Sequence, residues 1–190
     1  MTRQLREEIL AIISHSSAQT QQLAMQLGKL VRGGELLLLD GQLGTGKTTF
    51  TQGLAKGMGI AEVVSSPTFT LLKEYAGARR PLSDGVERQS GRVSRTQQVG
   101  SPALYHFDLY RLDVPEEIIE LGFEDYFYGS GVCVVEWADK AGALWPDERL
   151  YIRMNVVNET ERGIVFIATG ERYCELLQQF QKKSYATASS

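Results

Sequence analysis

Residues 41–48 read Gly41-Gln-Leu-Gly-Thr-Gly-Lys47-Thr48, a complete G-x-x-x-x-G-K-[ST] element. Before it, Glu-Leu-Leu-Leu-Leu-Asp over 35–40 is an apolar run of strand length bounded by glycines, and after it a helix is expected to about Met58, ended by Gly57 and Gly59. Strand, glycine loop and helix in that order point to an α/β P-loop fold. Gly41, Gly44 and Gly46 let the backbone curl until successive N–H groups face one anion, and the helix N-terminus adds its partial positive charge. Lys47 reaches the β- and γ-phosphates of a nucleotide, and the Thr48 hydroxyl is placed to ligate Mg2+.

Such a loop fixes phosphates but needs an acidic group from the end of a neighbouring strand to complete the magnesium shell. Two candidates fit. Val132-Cys-Val-Val ends in Glu136, and Ala103-Leu-Tyr-His-Phe ends in Asp108, each a carboxylate delivered at a strand's C-terminal edge, where open α/β sheets bind ligands. One could hold the metal while the other orients an attacking water. No N/T-K-x-D element selects guanine, so ATP is the expected nucleotide. A free-standing small-molecule kinase is the competing reading, but the arginines at 77–102 lack the apolar frame that a closing lid needs.

The rest of the chain suggests a mixed sheet with flanking helices. Leu23, Leu27 and Leu30 predict a helix over 16–31, opened by an S-x-x-Q capping box at Ser16 and Gln19. Residues 5–13 suit a helix or a short buried strand equally. Extended segments are expected at 63–66 and 69–75, strands at 103–109 and 131–136, and a helix at 115–121 with Pro115 in its first turn. Alternation over 149–156 and 163–169 predicts a C-terminal antiparallel pair turned by Asn158-Glu-Thr-Glu. A helix over 171–182 follows, then a frayed tail at 184–190. The stretch 77–102 has no aromatic residue and carries five Arg against two acidic residues. It reads as a disordered insertion within a single domain spanning 1–183.

Composition narrows the function. The 190 residues carry 20 basic and 23 acidic groups, a net charge of −3, which argues against holding nucleic acid through a positive field. Two distant cysteines and two histidines argue against a zinc site or disulfide framework and fit a reducing compartment. No stretch approaches the roughly 18 apolar residues of a membrane span, so a cytoplasmic chain without membrane partners is expected. Glycine is in excess, at 19 of 190.

Four blocks in order resemble the TsaE (YjeE) family, bacterial P-loop ATPases of tRNA threonylcarbamoyladenosine (t6A) synthesis: 41–50, Ser66-Pro-Thr-Phe-Thr, His106-Phe-Asp-Leu-Tyr-Arg-Leu and Val135-Glu-Trp. The resemblance covers about 10–76 and 103–170. It implies that Lys47 and the backbone from Gly44 through Thr45 and Gly46 to Thr49 hold the triphosphate, with Gly41, Gln42 and Leu43 completing the loop. It further implies that Thr48 and Glu136 ligate Mg2+ and that Asp108 is required for hydrolysis. Thr68 would lie in a switch-like loop, Trp137 beside the metal ligand, and Ser17 and Arg162 near the nucleotide. The implied partners are the TsaB and TsaD proteins, with tRNA reached only through that complex. Gln42 stands where Asp is common in the family, and the insertion replaces a short hairpin connection.

Overall fold

The structure, a computed structural model, describes residues 5–77, 100–112 and 116–188. The insertion read at 77–102 lies outside the described residues except at its two ends, and so does Pro115. Seven strands form one sheet: β1 (Glu7–Ser14), β2 (Leu36–Asp40), β3 (Leu72–Tyr75), β4 (Leu104–Asp108), β5 (Val132–Glu136), β6 (Arg149–Val156) and β7 (Arg162–Thr169). Their spatial order is β1-β7-β6-β2-β5-β4-β3. The four inner strands β6, β2, β5 and β4 are parallel, while β3 pairs antiparallel with β4, and β7 pairs antiparallel with both β6 and β1. This is the expected mixed sheet, and the C-terminal pair runs from Arg149↔Thr169 to Val156↔Arg162.

Strand β2 is central, which explains its unbroken run of leucines: a parallel strand covered on both faces has no solvent side to mark with a polar residue. Leu37 and Leu39 face one core, with Phe50, Leu54, Phe166 and Phe180, whereas Leu36 and Leu38 face the other, with Phe107, Phe127 and Trp145. The first core is covered by α1 (Ser17–Gly28) and α2 (Lys47–Gly57), and by the last helix, α5 (Glu171–Ala188). The second is closed by α3 (Glu116–Glu120), α4 (Glu124–Phe127) and a 3-10 segment at Ala138–Leu144. Among the described residues no helix is long and apolar enough to cross a membrane.

Helices α1 and α2 touch through glycines. A Cβ on Gly28 would lie 2.2 Å from the Leu54 carbonyl, one on Gly57 would lie 2.2 Å from the Met25 carbonyl, and one on Gly53 would lie 2.3 Å from the Gln21 carbonyl. Part of the glycine excess is therefore spent on this crossing, which presses α2 against α1. Gly57 is the last residue of α2, as expected, and the turn away falls at Gly59, with φ +78°.

Several expectations are corrected. For residues 5–13, left open between helix and strand, the structure shows the strand, extended to 7–14, because β7 offers eight consecutive pairing partners and that long-range ladder overrides the local helix preference of Arg and Glu. Helix α1 stops at Gly28, where Leu30 and Val31 both turn their N–H groups back to the Leu27 carbonyl. Segment 63–66 joins no strand. Residues 69–71 form a turn in which the Pro67 carbonyl accepts from Thr70 and Leu71, and Leu71 adopts φ +62°. Helix α5 continues through 184–188, where no glycine or proline stops it and the Ser184 hydroxyl bonds to the Phe180 carbonyl and to Gln26. The capping box is half as drawn: Ser16 Oγ accepts from Gln19 N–H, but Gln19 Oε1 accepts from His15 N–H instead of Ser16.

Candidate nucleotide site

The glycine loop leaves the C-terminal end of β2 and enters α2. Gly41, Gly44 and Gly46 sit at φ +146°, +81° and +99°, in the half of backbone space that L side chains avoid. Gly46 is the N-cap of α2 and no side chain caps that end, so the first turn of the helix presents its amides to the loop's concavity. Thr45 closes the loop on itself, donating from both N–H and Oγ1 to the Gln42 carbonyl.

A cleft of about 510 Å³ opens beside the loop, lined by Leu43, Gly44, Gly46, Lys47, Thr48, Thr49, Ser66, Thr68, Asp108, Tyr110, Glu136 and Trp137. The sequence-level candidates converge here because β5 and β4 lie next to β2 in the sheet. Glu136 and Asp108 are register partners at the ends of their strands, and both are nearly fully buried. Thr48 Oγ1 donates to Glu136 Oε2 at 3.0 Å, and His106 Nε2 bonds to Glu136 Oε1 at 2.8 Å. On the other carboxylate, Oδ2 of Asp108 accepts from Ser66 Oγ at 2.5 Å and Thr68 Oγ1 at 2.6 Å, while Oδ1 accepts from Tyr110 N–H at 3.0 Å.

Lys47 is folded back on its own loop, donating from Nζ to the Gly41 carbonyl at 2.5 Å and the Gln42 carbonyl at 3.1 Å. Its ammonium lies 3.8 Å from the centre of the Trp137 ring, a cation–π contact. Burial pushes the Lys47 amine below its ordinary value, with Glu136 the first of the carboxylates that oppose the shift. Trp137 reaches this position because it leaves β5 at φ +61°, a left-handed turn that sets its indole between Lys47 and the Tyr110 ring, 4.9 Å away.

Ser17 and Arg162 do not line this cleft. They lie across the loop, on a second cleft of about 260 Å³ shared with Ser16, Thr20, Gly44, Thr45, Gly46, Thr49, Glu159 and Thr160. Arg162 Nη2 reaches the Gly44 carbonyl at 3.3 Å. The β6–β7 turn is tied to the start of α1 by His15 Nδ1 and Glu161 Oε1, 2.6 Å apart, and the hydrogen bond from His15 holds the Glu161 carboxyl below its usual range. Gln42 is exposed and lines neither cleft, and the loop uses only its carbonyl.

Ser66, His106 and Tyr110 stand in the blocks quoted from the sequence without an assigned role, and each touches a predicted carboxylate or lines its cleft. A usable signal existed for His106: two residues before Asp108 on a strand, it shares that residue's face.

A positive-φ glycine loop between a parallel strand and an uncapped helix, with a threonine bonded to a strand-end carboxylate, places the chain among the α/β proteins of P-loop fold. The family described as "Threonylcarbamoyl adenosine biosynthesis protein TsaE" matches residues 14–87 and 88–164. The chain is 39% identical over 164 residues to the tRNA threonylcarbamoyladenosine biosynthesis protein TsaE of Bacillus subtilis, covering 86% of this chain and 89% of that one. It is 34% identical over 152 residues to the protein of the same name from Treponema pallidum, covering 80% and 96%. The crystal structure of Bacillus subtilis YdiB superposes with a TM-score of 0.72 at 34% identity, covering 94% of this chain and 98% of that one. The chain belongs to the TsaE family.

Proposed function

We propose that this chain is an Mg2+-dependent ATPase required for threonylcarbamoylation of adenosine 37 in tRNAs that read ANN codons. It would act in the cytoplasm as a nucleotide-driven accessory to a TsaB–TsaD complex that itself holds the tRNA. Family membership supports the pathway, since the relatives are named for t6A biosynthesis. The observation that carries the chemistry is the Thr48 Oγ1–Glu136 Oε2 contact of 3.0 Å at the mouth of the glycine loop. A hydroxyl and a carboxylate are hard oxygen donors, the set that Mg2+ prefers, and both face the cleft beside an uncapped helix end.

In this reading the α2 N-terminus and the loop amides bind the phosphates, with Lys47 turning from the Gly41 and Gln42 carbonyls to neutralise them. Thr48 and Glu136 hold the ion, which when bound withdraws charge from the phosphate oxygens. Asp108 orients the attacking water. Its carboxylate is fixed from Ser66, Thr68 and Tyr110, so hydrolysis does not require it to find its rotamer first. Ser66 and Thr68 lead into the turn at 69–71, and loss of the γ-phosphate would change what that segment has to contact. Ser17 and Arg162 frame the remainder of the nucleotide from the second cleft.

The test is equilibrium binding of ATP and GTP with Mg2+, followed by co-purification with TsaB and TsaD. ATP should bind in preference to GTP, Lys47→Ala should lose binding, and capture of the partners should depend on ATP. Partner-independent ATP turnover that requires a small-molecule acceptor would instead make the chain a kinase.

A further inference from the structure

We propose that His106 is a positioning residue for the metal site: it presets the Glu136 carboxylate so that one oxygen is held and the other is presented, together with Thr48, to a divalent cation. The inference rests on the Mg2+ reading above and deepens it.

His106 lies in β4 between Lys73 of β3 and Val134 of β5 and has no solvent exposure. A carboxylate has no hydrogen to give, so the 2.8 Å contact to Glu136 Oε1 requires the hydrogen on His106 Nε2. The other ring nitrogen, Nδ1, is buried and has no hydrogen-bond partner among the described residues. Buried polar atoms are normally paired, and a histidine kept for packing alone would be replaced by an apolar side chain without that cost. The ring's one hydrogen bond among the described residues goes to an oxygen of Glu136. That bond fixes the carboxylate plane, and with Oε1 occupied it is Oε2 that meets Thr48 Oγ1.

The physical consequence concerns metal affinity. A free Glu136 must give up rotamer freedom each time it ligates, whereas one clamped by His106 has already done so. Partners of this kind typically change metal affinity by about 10- to 100-fold when removed. Gln and Asn separate the hydrogen bond from the volume. The glutamine amide nitrogen sits near where histidine Nε2 does and can still donate to Oε1, while that of asparagine is one methylene short.

The experiment titrates MgCl2 against binding of a fluorescent, slowly hydrolysed ATP analogue to the full chain and its variants. Nucleotide affinity without metal and the thermal melt are read alongside. His106→Gln should keep the parent's Mg2+ midpoint within about twofold. His106→Asn and His106→Leu should raise it about tenfold or more and leave metal-free nucleotide affinity unchanged. Folded Asn and Leu variants with the parent's midpoint would overturn the inference and leave the Mg2+ reading standing. Should neither fold, His106→Gln decides alone, and a tenfold rise in its midpoint would count against the role. A parent whose nucleotide binding ignores Mg2+ would remove the metal reading and this inference with it.

Discussion

Replacing Gly53 by alanine sets two effects of opposite sign against each other. In a free helix the change should stabilise by about 1 kcal/mol, because glycine has the greater backbone entropy to lose. In this fold the new Cβ would lie 2.3 Å from the Gln21 carbonyl oxygen and 2.8 Å from both Ala24 Cβ and Gln21 Cα. Ordinary contacts begin near 3.4 Å, so relief requires α1 and α2 to part by about an ångström, and the atom met first is backbone that cannot rotate away. Overpacking of this kind costs about 1–3 kcal/mol. The net expectation is a loss of about 1 kcal/mol, lowering Tm by about 2–4 °C in a chain of this size. Thermal and urea unfolding followed by circular dichroism measures it, with Gly57→Ala as a second case facing the Met25 carbonyl at 2.2 Å. A rise in Tm for either variant would mean that helix propensity wins and would refute the close crossing.

Asp108→Asn should spare ATP binding, since the proposed function assigns the phosphates to α2 and Lys47, and should lower hydrolysis. Equal steady-state ATPase rates for variant and parent would contradict its role. Burial pushes the Cys133 thiol up to about 12, and Cys174 is buried and also raised by desolvation. Both should stay protonated near neutral pH and resist a thiol-specific reagent until the chain is unfolded, and fast labelling of the folded protein would contradict that burial.

The glycine loop, the strand before it and the β6–β7 pair could be read from the sequence because their signals are local: a fixed spacing, an apolar run and an alternation with its turn. Glu136 and Asp108 were legible as strand ends, and the sheet order made them neighbours of Thr48. What was not legible depends on distant pairing. Residues 7–14 become strand only because β7 needs an outer partner, and no window around Ile9 contains that information. Likewise Ser66 meets Asp108, and His106 meets Glu136, across elements 42 and 30 residues apart in sequence. The glycines at 28, 53 and 57 carry no positive φ among them and gave no sign of the crossing they permit.

In the proposed function, nucleotide turnover at this loop sustains tRNA threonylcarbamoylation. Cells depleted of the protein and complemented with the parent chain, Lys47→Ala or Asp108→Asn allow it to be measured, by quantifying t6A in digested tRNA with mass spectrometry. Depletion should remove the modification, and only the parent chain should restore it fully. Normal t6A in depleted cells, or full restoration by Lys47→Ala, would contradict that role.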